Sequence, residues 1–389
     1  MLNSELTVKE IIYLFVRLGA LGFGGPVALI AMMEEEVCRK RNWVSKERFT
    51  EIYAVCKILP GPVAVQMAIF LGSVRGATLG GFLAGFFFIL PSFLMVLALS
   101  YTYVNTQLTQ KFGSAFITMQ AAALGVVLLS TFQLAKPYLK KQSGILIGLI
   151  SLVLLYLWPK YEPFVIFFFG LSGAYIYSRS VSSSSGSRLV SFAPGFLAGL
   201  VAKFPTELFS DTIYLRLFWV CFKAGEFVFG SGLAIIPLLE AEVVQHYHWL
   251  THAEFMDGLA IGQVTPGPVT ITVTFIGFKT AGILGALVAT GGIYLPPFIN
   301  VLYILPRIWK KISGTPGARG FTSWAFPAVI GGILGATLNL ARVTLISPLP
   351  LGIFLAVLLI GLYRNVPAWI LVPGAGIFGV ISQLFTTRS

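Results

Sequence analysis

Apolar runs of about 20 residues, long enough to cross a hydrocarbon layer of about 30 Å as a helix, recur from one end of the chain to the other. Short polar stretches and glycine or proline separate them, and none is long enough for a soluble domain. Continuous stretches such as Gly81 to Leu99 have helical length rather than the short alternating pattern of barrel strands. The pattern predicts an all-α polytopic membrane protein.

The pattern also occurs twice. A shift of 206 residues (266 minus 60) lays Pro60-Gly61-Pro62-Val63 on Pro266-Gly267-Pro268-Val269. Without a gap it also pairs Phe23-Gly24 with Phe229-Gly230, Glu34 with Glu240, Glu36 with Glu242, Trp43 with Trp249 and Pro91 with Pro297. These matches fall on Gly, Pro, Trp and Glu rather than on common Leu or Val, which makes chance a poor explanation. The copies are expected to cover 7–178 and 210–384, with 179–209 as a polar linker and the start of the second copy. Each reads as a first helix interrupted at its Gly-rich motif, a Trp loop, an amphipathic segment reaching PGP, and four apolar helices. In the first copy these four lie near 76–104, 115–135, 144–158 and 163–178.

Basic residues accumulate in cytoplasmic loops, and their distribution swaps between the copies. Loop 39–48 holds five Lys/Arg and its counterpart 245–254 none, whereas 101–113 holds only Lys111 and its counterpart 307–319 holds four. The copies therefore read as inverted repeats, which require an odd number of crossings each. The PGP segment is then expected to enter and return as a re-entrant hairpin. That gives about ten transmembrane helices, broken first helices in each repeat, two re-entrant PGP hairpins, and both termini outside.

Composition narrows the function. Of 389 residues, 56% are hydrophobic and 11% charged, against about 25% charged in soluble domains. The formal charge is +12, but no basic helix or Arg-rich tail supports a nucleic-acid partner. Most of the excess follows the positive-inside rule; anion handling is the alternative for the rest. Cys38, Cys56 and Cys221 form no CxxC pair. The segment MLNSELTVKE has neither a basic n-region nor a cleavage site, so the first apolar segment is expected to stay as a membrane helix.

Glycine and proline inside an apolar helix free backbone groups, which at membrane depth must face protein or water. Gly22-Phe23-Gly24-Gly25-Pro26 is such a break, and Gly230-Ser231-Gly232 is its counterpart. Proline after the break suits the first turn of a half-helix whose free amides seat an anion, the alternative being close helix packing. Pro60-Gly61-Pro62 and Pro266-Gly267-Pro268 set two sharp turns of the same kind, followed by Gln66 in one copy and by Thr270 and Thr272 in the other. Lys57 and Gln263 precede the two PGP turns equivalently, and Arg17 and Lys223 precede the two glycine breaks. Buried cations are functional candidates, with snorkelling to the interface as the alternative.

The expected oxyanion site takes amide donors from Gly24, Gly25, Gly61, Val63, Gly230, Gly232, Gly267 and Val269, shaped by Pro26, Pro60, Pro62, Pro266 and Pro268. Gln66, Gln263, Ser231, Thr270 and Thr272 add hydrogen bonds, and Lys57 adds charge. Arg17 and Lys223, with Glu34, Glu36, Glu240 and Glu242, are gating or coupling candidates. His246, His248 and His252 form an H-x-H-x3-H run that reads as interfacial histidines rather than a metal site. No cofactor is implied, and no enzymatic motif occurs.

FGGPVALI with EEEV and RNW, then KILPGPVAVQ, and in the second copy FGSGLAIIPLLEAEV, WLTHAEFMDGLAIGQVTPGP and TFIGF, resemble the chromate ion transporter family in its two-domain, long-chain form. The resemblance covers nearly the whole chain. It implies a multi-pass plasma-membrane carrier that exports chromate and confers chromate resistance. The chain departs from the family pattern at Leu29, where a His is usual, and at Lys57, where a small polar residue is usual. Sulfate or another divalent oxyanion is the alternative substrate, and a membrane-embedded enzyme or scaffold the alternative class. The expected partners are the oxyanion, the lipid bilayer and a possible second copy in a homodimer.

Overall fold

The computed structural model describes residues 4–22, 25–106, 113–182, 212–227, 232–307, 315–364 and 366–386. Among these every regular element is helical. Candidates Gly24, Gly230 and Ser231, and most of the 179–209 linker, lie outside them.

The chain opens with α1 (Ser4–Leu21) and α2 (Gly25–Glu34), the latter continued by a wider π turn, Glu35–Lys40. Sequence predicts one interrupted helix that carries on across the membrane; instead the two limbs fold back on each other. Arg41 reaches Glu10 at 3.5 Å and Arg17 reaches Glu36 at 3.8 Å. In a continuing helix Arg17 and Glu36 would stand about 28 Å apart at 1.5 Å per residue. The glycine break permits the reversal, and ion pairs hold the limbs together toward its base.

A second hairpin follows. Ser45 caps α3 (Lys46–Ile58) by accepting from the Arg48 amide at 3.2 Å. Pro60-Gly61-Pro62 then turns the chain, with Gly61 at φ +126°, a conformation that L side chains rarely adopt. The long element α4 (Val63–Asn105) is itself two limbs, because Gly76 (φ −135°, ψ 30°) and Ala77 (φ 50°, ψ −148°) leave the helical region. A Cβ on Gly72 would stand 2.5 Å from the Gly80 carbonyl oxygen, so the limbs 63–75 and 78–105 pack side by side. The first limb thus returns to the level it came from: Arg75 lies 3.5 Å from Glu10 and 5.8 Å from the Trp43 ring.

After these hairpins come the second limb of α4, then α5 (Gly113–Ala135), α6 (Gln142–Leu157) and α7 (Glu162–Ser182), close to the four apolar helices expected. The same series recurs as α8 (Ile213–Phe227), α9 (Ile235–Glu240) with the π turn Ala241–His246, α10 (His252–Val264), and α11 (Thr272–Ile299) with the π turn Asn300–Ile304. It ends in α12 (Pro316–Thr344), α13 (Pro348–Arg364) and α14 (Ala368–Thr386).

Details recur with the elements. Asn42 and His248 both have φ 52°. The Trp43 and Trp249 amides donate to Val37 and Val243 at 2.9 and 2.8 Å. Thr251 caps α10 as Ser45 caps α3. The register then slips by one residue, because the reversal in α11 falls at Ala281 and Gly282, 205 rather than 206 after its counterpart. A 3₁₀ turn, Val269–Ile271, precedes α11 where α4 is α-helical from its start. Three residues rising about 2.0 Å instead of about 1.5 Å gain the rise of one α-helical residue, so the second copy spans the same distance with one residue fewer.

Equivalent helices of the two copies run antiparallel. Gly81 packs on Leu302 and Gly85 on Phe298, so the number rises along α4 as it falls along α11. The later helices are exchanged between the copies: Gly173 of α7 meets Gly320 of α12, and Gly379 of α14 meets Ser114 of α5. On α6, Leu146, Leu149, Ile150 and Val153 are exposed while Ile147, Ser151 and Leu155 are buried. An apolar outer face of this kind suits lipid rather than water.

Candidate functional site

The hairpin tips meet deep inside the bundle. The Gly267 amide donates to the Gly22 carbonyl at 2.9 Å, joining the second PGP turn to the first glycine break. A Cβ on Gly267, which has φ +95°, would collide with Ser92 Oγ at the centre of the long limb of α4. Gly232, just after the second glycine break, faces Thr270 and Val269 of the second PGP hairpin. The first PGP turn joins the group through Asn300, whose Nδ2 donates to the Pro60 carbonyl at 3.0 Å and to Glu226 Oε2 at 3.3 Å. Glu226 stands at the tip of α8.

The helices that leave the PGP turns have proline N-caps, Pro62 and Pro268, with no side-chain capping bond. Their first amides, beginning at Val63 and Val269, are therefore open to an acceptor and carry the partial positive charge of a helix start. Among the described residues, buried polar atoms nearby also lack partners: Ser92 Oγ, Gln66 Oε1 and Gln263 Nε2. Such atoms cost free energy unless something polar meets them.

Other predicted site residues have local partners. Gln66 Nε2 donates to the Pro60 carbonyl at 2.5 Å, which leaves its oxygen rather than its amide free. Thr272 Oγ1 donates to the Val269 carbonyl at 2.9 Å, and the Thr270 hydroxyl pairs with the Tyr294 hydroxyl at 2.8 Å. Lys57 stands 4.5 Å from the centre of the Tyr53 ring and 6.0 Å from that of Phe326, a cation–π seat. Only the backbone of Gly25 and Pro26 is described, and it opens α2.

The charged candidates gather away from the tips, at the hairpin bases. Lys223 reaches Glu242 at 2.7 Å, the counterpart of Arg17 with Glu36. Glu36 also takes Lys40 at 2.8 Å and Arg41; the Lys40 hydrogen bond leads in holding its carboxyl below the ordinary value. Glu34 pairs with Lys46 at 3.5 Å, and Glu240 with His252 at 3.1 Å. A surface cleft of about 410 Å³ lined by Glu34, Cys38, Arg39 and Lys46 lies at this base, away from the tips. The three histidines diverge: His248 bonds the Val244 carbonyl, His246 packs on Tyr247 and His252 faces Glu240. Among the described residues no group of three or more His, Cys, Asp or Glu could hold a metal ion.

Ser92, Asn300, Glu226 and Tyr294 were not among the predicted residues. A polar residue close to proline in an apolar run is the available signal for Ser92, Tyr294 and Asn300, as in Pro91-Ser92 and Pro297-Phe298-Ile299-Asn300, whereas Glu226 shows only as a charge in an apolar run with no proline near it. Comparing the copies hides them, because the 206 shift sets Ser92 against Phe298 and Asn300 against Leu94.

The family model described as "Chromate transporter" matches residues 9–175 and again 215–380. This chain belongs to the chromate transporter family. A chromate transport protein of Cupriavidus metallidurans is 34% identical over 382 residues, covering 97% of this chain and 93% of the relative. A probable chromate transport protein of Synechococcus elongatus is 34% identical over 388 residues, covering 94% and 91%. A chromate transport protein of Pseudomonas aeruginosa is 30% identical, covering 85% and 80%. No solved structure matches the chain. As a chromate transporter family member the protein is a membrane transport protein. Leu29 is fully buried and packs against Gly22, so an apolar side chain fills the inside of the first hairpin.

Proposed function

We propose that the chain carries chromate across the plasma membrane and binds it where the four hairpin tips meet. The Gly267–Gly22 hydrogen bond carries this reading, because it brings a PGP turn of one copy to the glycine break of the other. Open helix amides and the unpartnered Ser92 and Gln263 supply donors for a tetrahedral dianion. Chromate as the substrate rests on the relatives' names.

The copies are inverted repeats in this reading, supported by the antiparallel pairing of α4 with α11 and by the swapped basic loops. Each contributes two re-entrant hairpins and four crossing helices, rather than the broken crossing helix and five crossings expected from sequence; four is an even number, so the inversion also requires one crossing between the copies, for which the connecting sequence offers the largely apolar stretch 189–204. The positive-inside rule puts Arg39–Arg48, 136–141 and 307–319 in the cytoplasm. Glu10, which pairs with Arg41 and Arg75, shares that face. The start of α1 is then cytoplasmic and the end of α14 external, in place of two external termini. Rocking of the repeats about the tips provides alternating access, and export of chromate gives resistance.

Sulfate is the second reading, because amides and a hydroxyl sense charge and shape rather than the central atom. Protein reconstituted in liposomes tests both: saturable uptake of labelled chromate is expected, reduced by excess sulfate if the site accepts both. No movement of either anion under any imposed gradient overturns the proposal.

A further inference from the structure

The two copies differ chemically at the tip of the first hairpin. Glu226 in α8 corresponds to Ala20 in α1, and its partner Asn300 corresponds to Leu94 at a shift of 206 or Met95 at 205. The first copy builds the same hairpin with apolar residues at these positions, down to the equivalent ion pair, Arg17–Glu36 for Lys223–Glu242. The fold therefore does not need a carboxylate there. The second copy nevertheless places one at the tip and ties it, through the buried Asn300 side chain, to the carbonyl of Pro60. Asn300 also opens the π turn 300–304, a local widening of the helix that is frequent at functional sites.

No cation neutralises Glu226 among the described residues. On its own helix Lys223 is paired with Glu242. On α9 and the turn after it, Glu240 and Glu242 face His252 and Lys223. On α11 Lys279 holds Glu254 at 3.1 Å, and beyond the π turn Arg307 donates to the Tyr303 carbonyl. Lys57, before Pro60, stands over Tyr53. When ionised, a carboxylate so placed puts a negative charge at the edge of the proposed oxyanion site.

We propose that Glu226 is a proton-binding coupling residue: its carboxylate takes up one proton as the oxyanion arrives, and the two cross in the same direction. The inference rests on the tips being the oxyanion site. Its cause is electrostatic, since a dianion beside a carboxylate in a low-dielectric interior raises the affinity of that carboxylate for a proton. By linkage the bound proton raises the affinity for the anion by the same factor. Asn300 keeps the group registered on the Pro60 turn, so protonation is felt where the anion sits.

Liposomes containing the full chain, with the membrane potential clamped at zero, decide the matter. An imposed gradient of about one pH unit, acid outside, is expected to raise steady-state accumulation of labelled chromate about tenfold, as for one proton per anion. E226Q and E226A, the latter carrying the residue of the first copy, are expected to lose this response while still exchanging external for preloaded chromate. With wild-type protein in weak buffer, proton uptake on adding chromate, at a pH where it is the dianion, should vanish in E226Q. Wild-type chromate flux that ignores the gradient, or E226Q that keeps the response, overturns the proposal. Absence of any wild-type flux instead overturns the underlying site reading.

Discussion

The amide of Gly267 donates to the carbonyl of Gly22 at 2.9 Å, so the turn of one copy is stitched to the break of the other. The bond leaves little room. Gly267 has φ +95°, and a Cβ there would collide with Ser92 Oγ. Gly267→Ala is therefore expected to cost about 2–4 kcal/mol from backbone strain and overpacking together, and to abolish chromate flux. Gly291→Ala, where a Cβ meets nothing within 4 Å, should be neutral in both thermal unfolding in detergent and flux. Equal behaviour of the two variants would show that the contact is not required.

Ser92 separates stability from function. Its hydroxyl is buried and has no partner among the described residues, and removing such a group costs the fold little. Ser92→Ala should keep the thermal midpoint of wild type or raise it, while the half-saturating chromate concentration rises about tenfold for the loss of one charge-assisted bond. A variant with unchanged transport removes Ser92 from the site.

The repeated ion pair has unequal exposure. Arg17 is 47% exposed on its side chain, whereas Lys223 and Glu242 are 18% and 20% exposed. Lys223→Met should destabilise by about 1–3 kcal/mol, and Arg17→Met by less than about 1 kcal/mol. The reversed pair K223E/E242K should recover part of the loss, and a double-mutant cycle on thermal stability measures it.

Glu36 ties the base of the first hairpin through Lys40, Arg41 and Arg17. Its pKa lies below 4.5 in the folded chain, so its contribution is complete above that value and is lost as pH falls through the lowered one. Wild type should lose stability below about pH 4.5 by one component that Glu36→Gln lacks. Thermal midpoints of both proteins across that range measure the difference.

Topology is accessible to labelling. In a cysteine-free background, cysteines at Lys9 and Lys46 should react only from the cytoplasmic side, and one at His248 only from outside. A reagent that labels Lys9 and Lys46 from opposite faces would refute the hairpin reading of α1 and α2.

Sequence alone carried much of this protein. Hydrophobic runs gave the all-helical membrane class, because a helix must satisfy its own backbone in lipid. Identities at Gly, Pro, Trp and Glu pointed to the repeat, and the swapped Lys/Arg loops to the inversion and the re-entrant PGP turn proposed above. What it could not give was the direction of the chain after Gly22. A glycine break is compatible with a kinked crossing or with a reversal, and only the contacts between Arg17 and Glu36 and between Glu10 and Arg41 distinguish them. Tertiary structure likewise decided the assembly of the tips. Ser92, Glu226 and Asn300 are each polar in one copy only, so repetition concealed them, and they gain meaning from packing across the interface between copies. Periodicity and loop charge are local properties that a sequence displays; the meeting of four tips depends on distant segments, and folding alone brings those together.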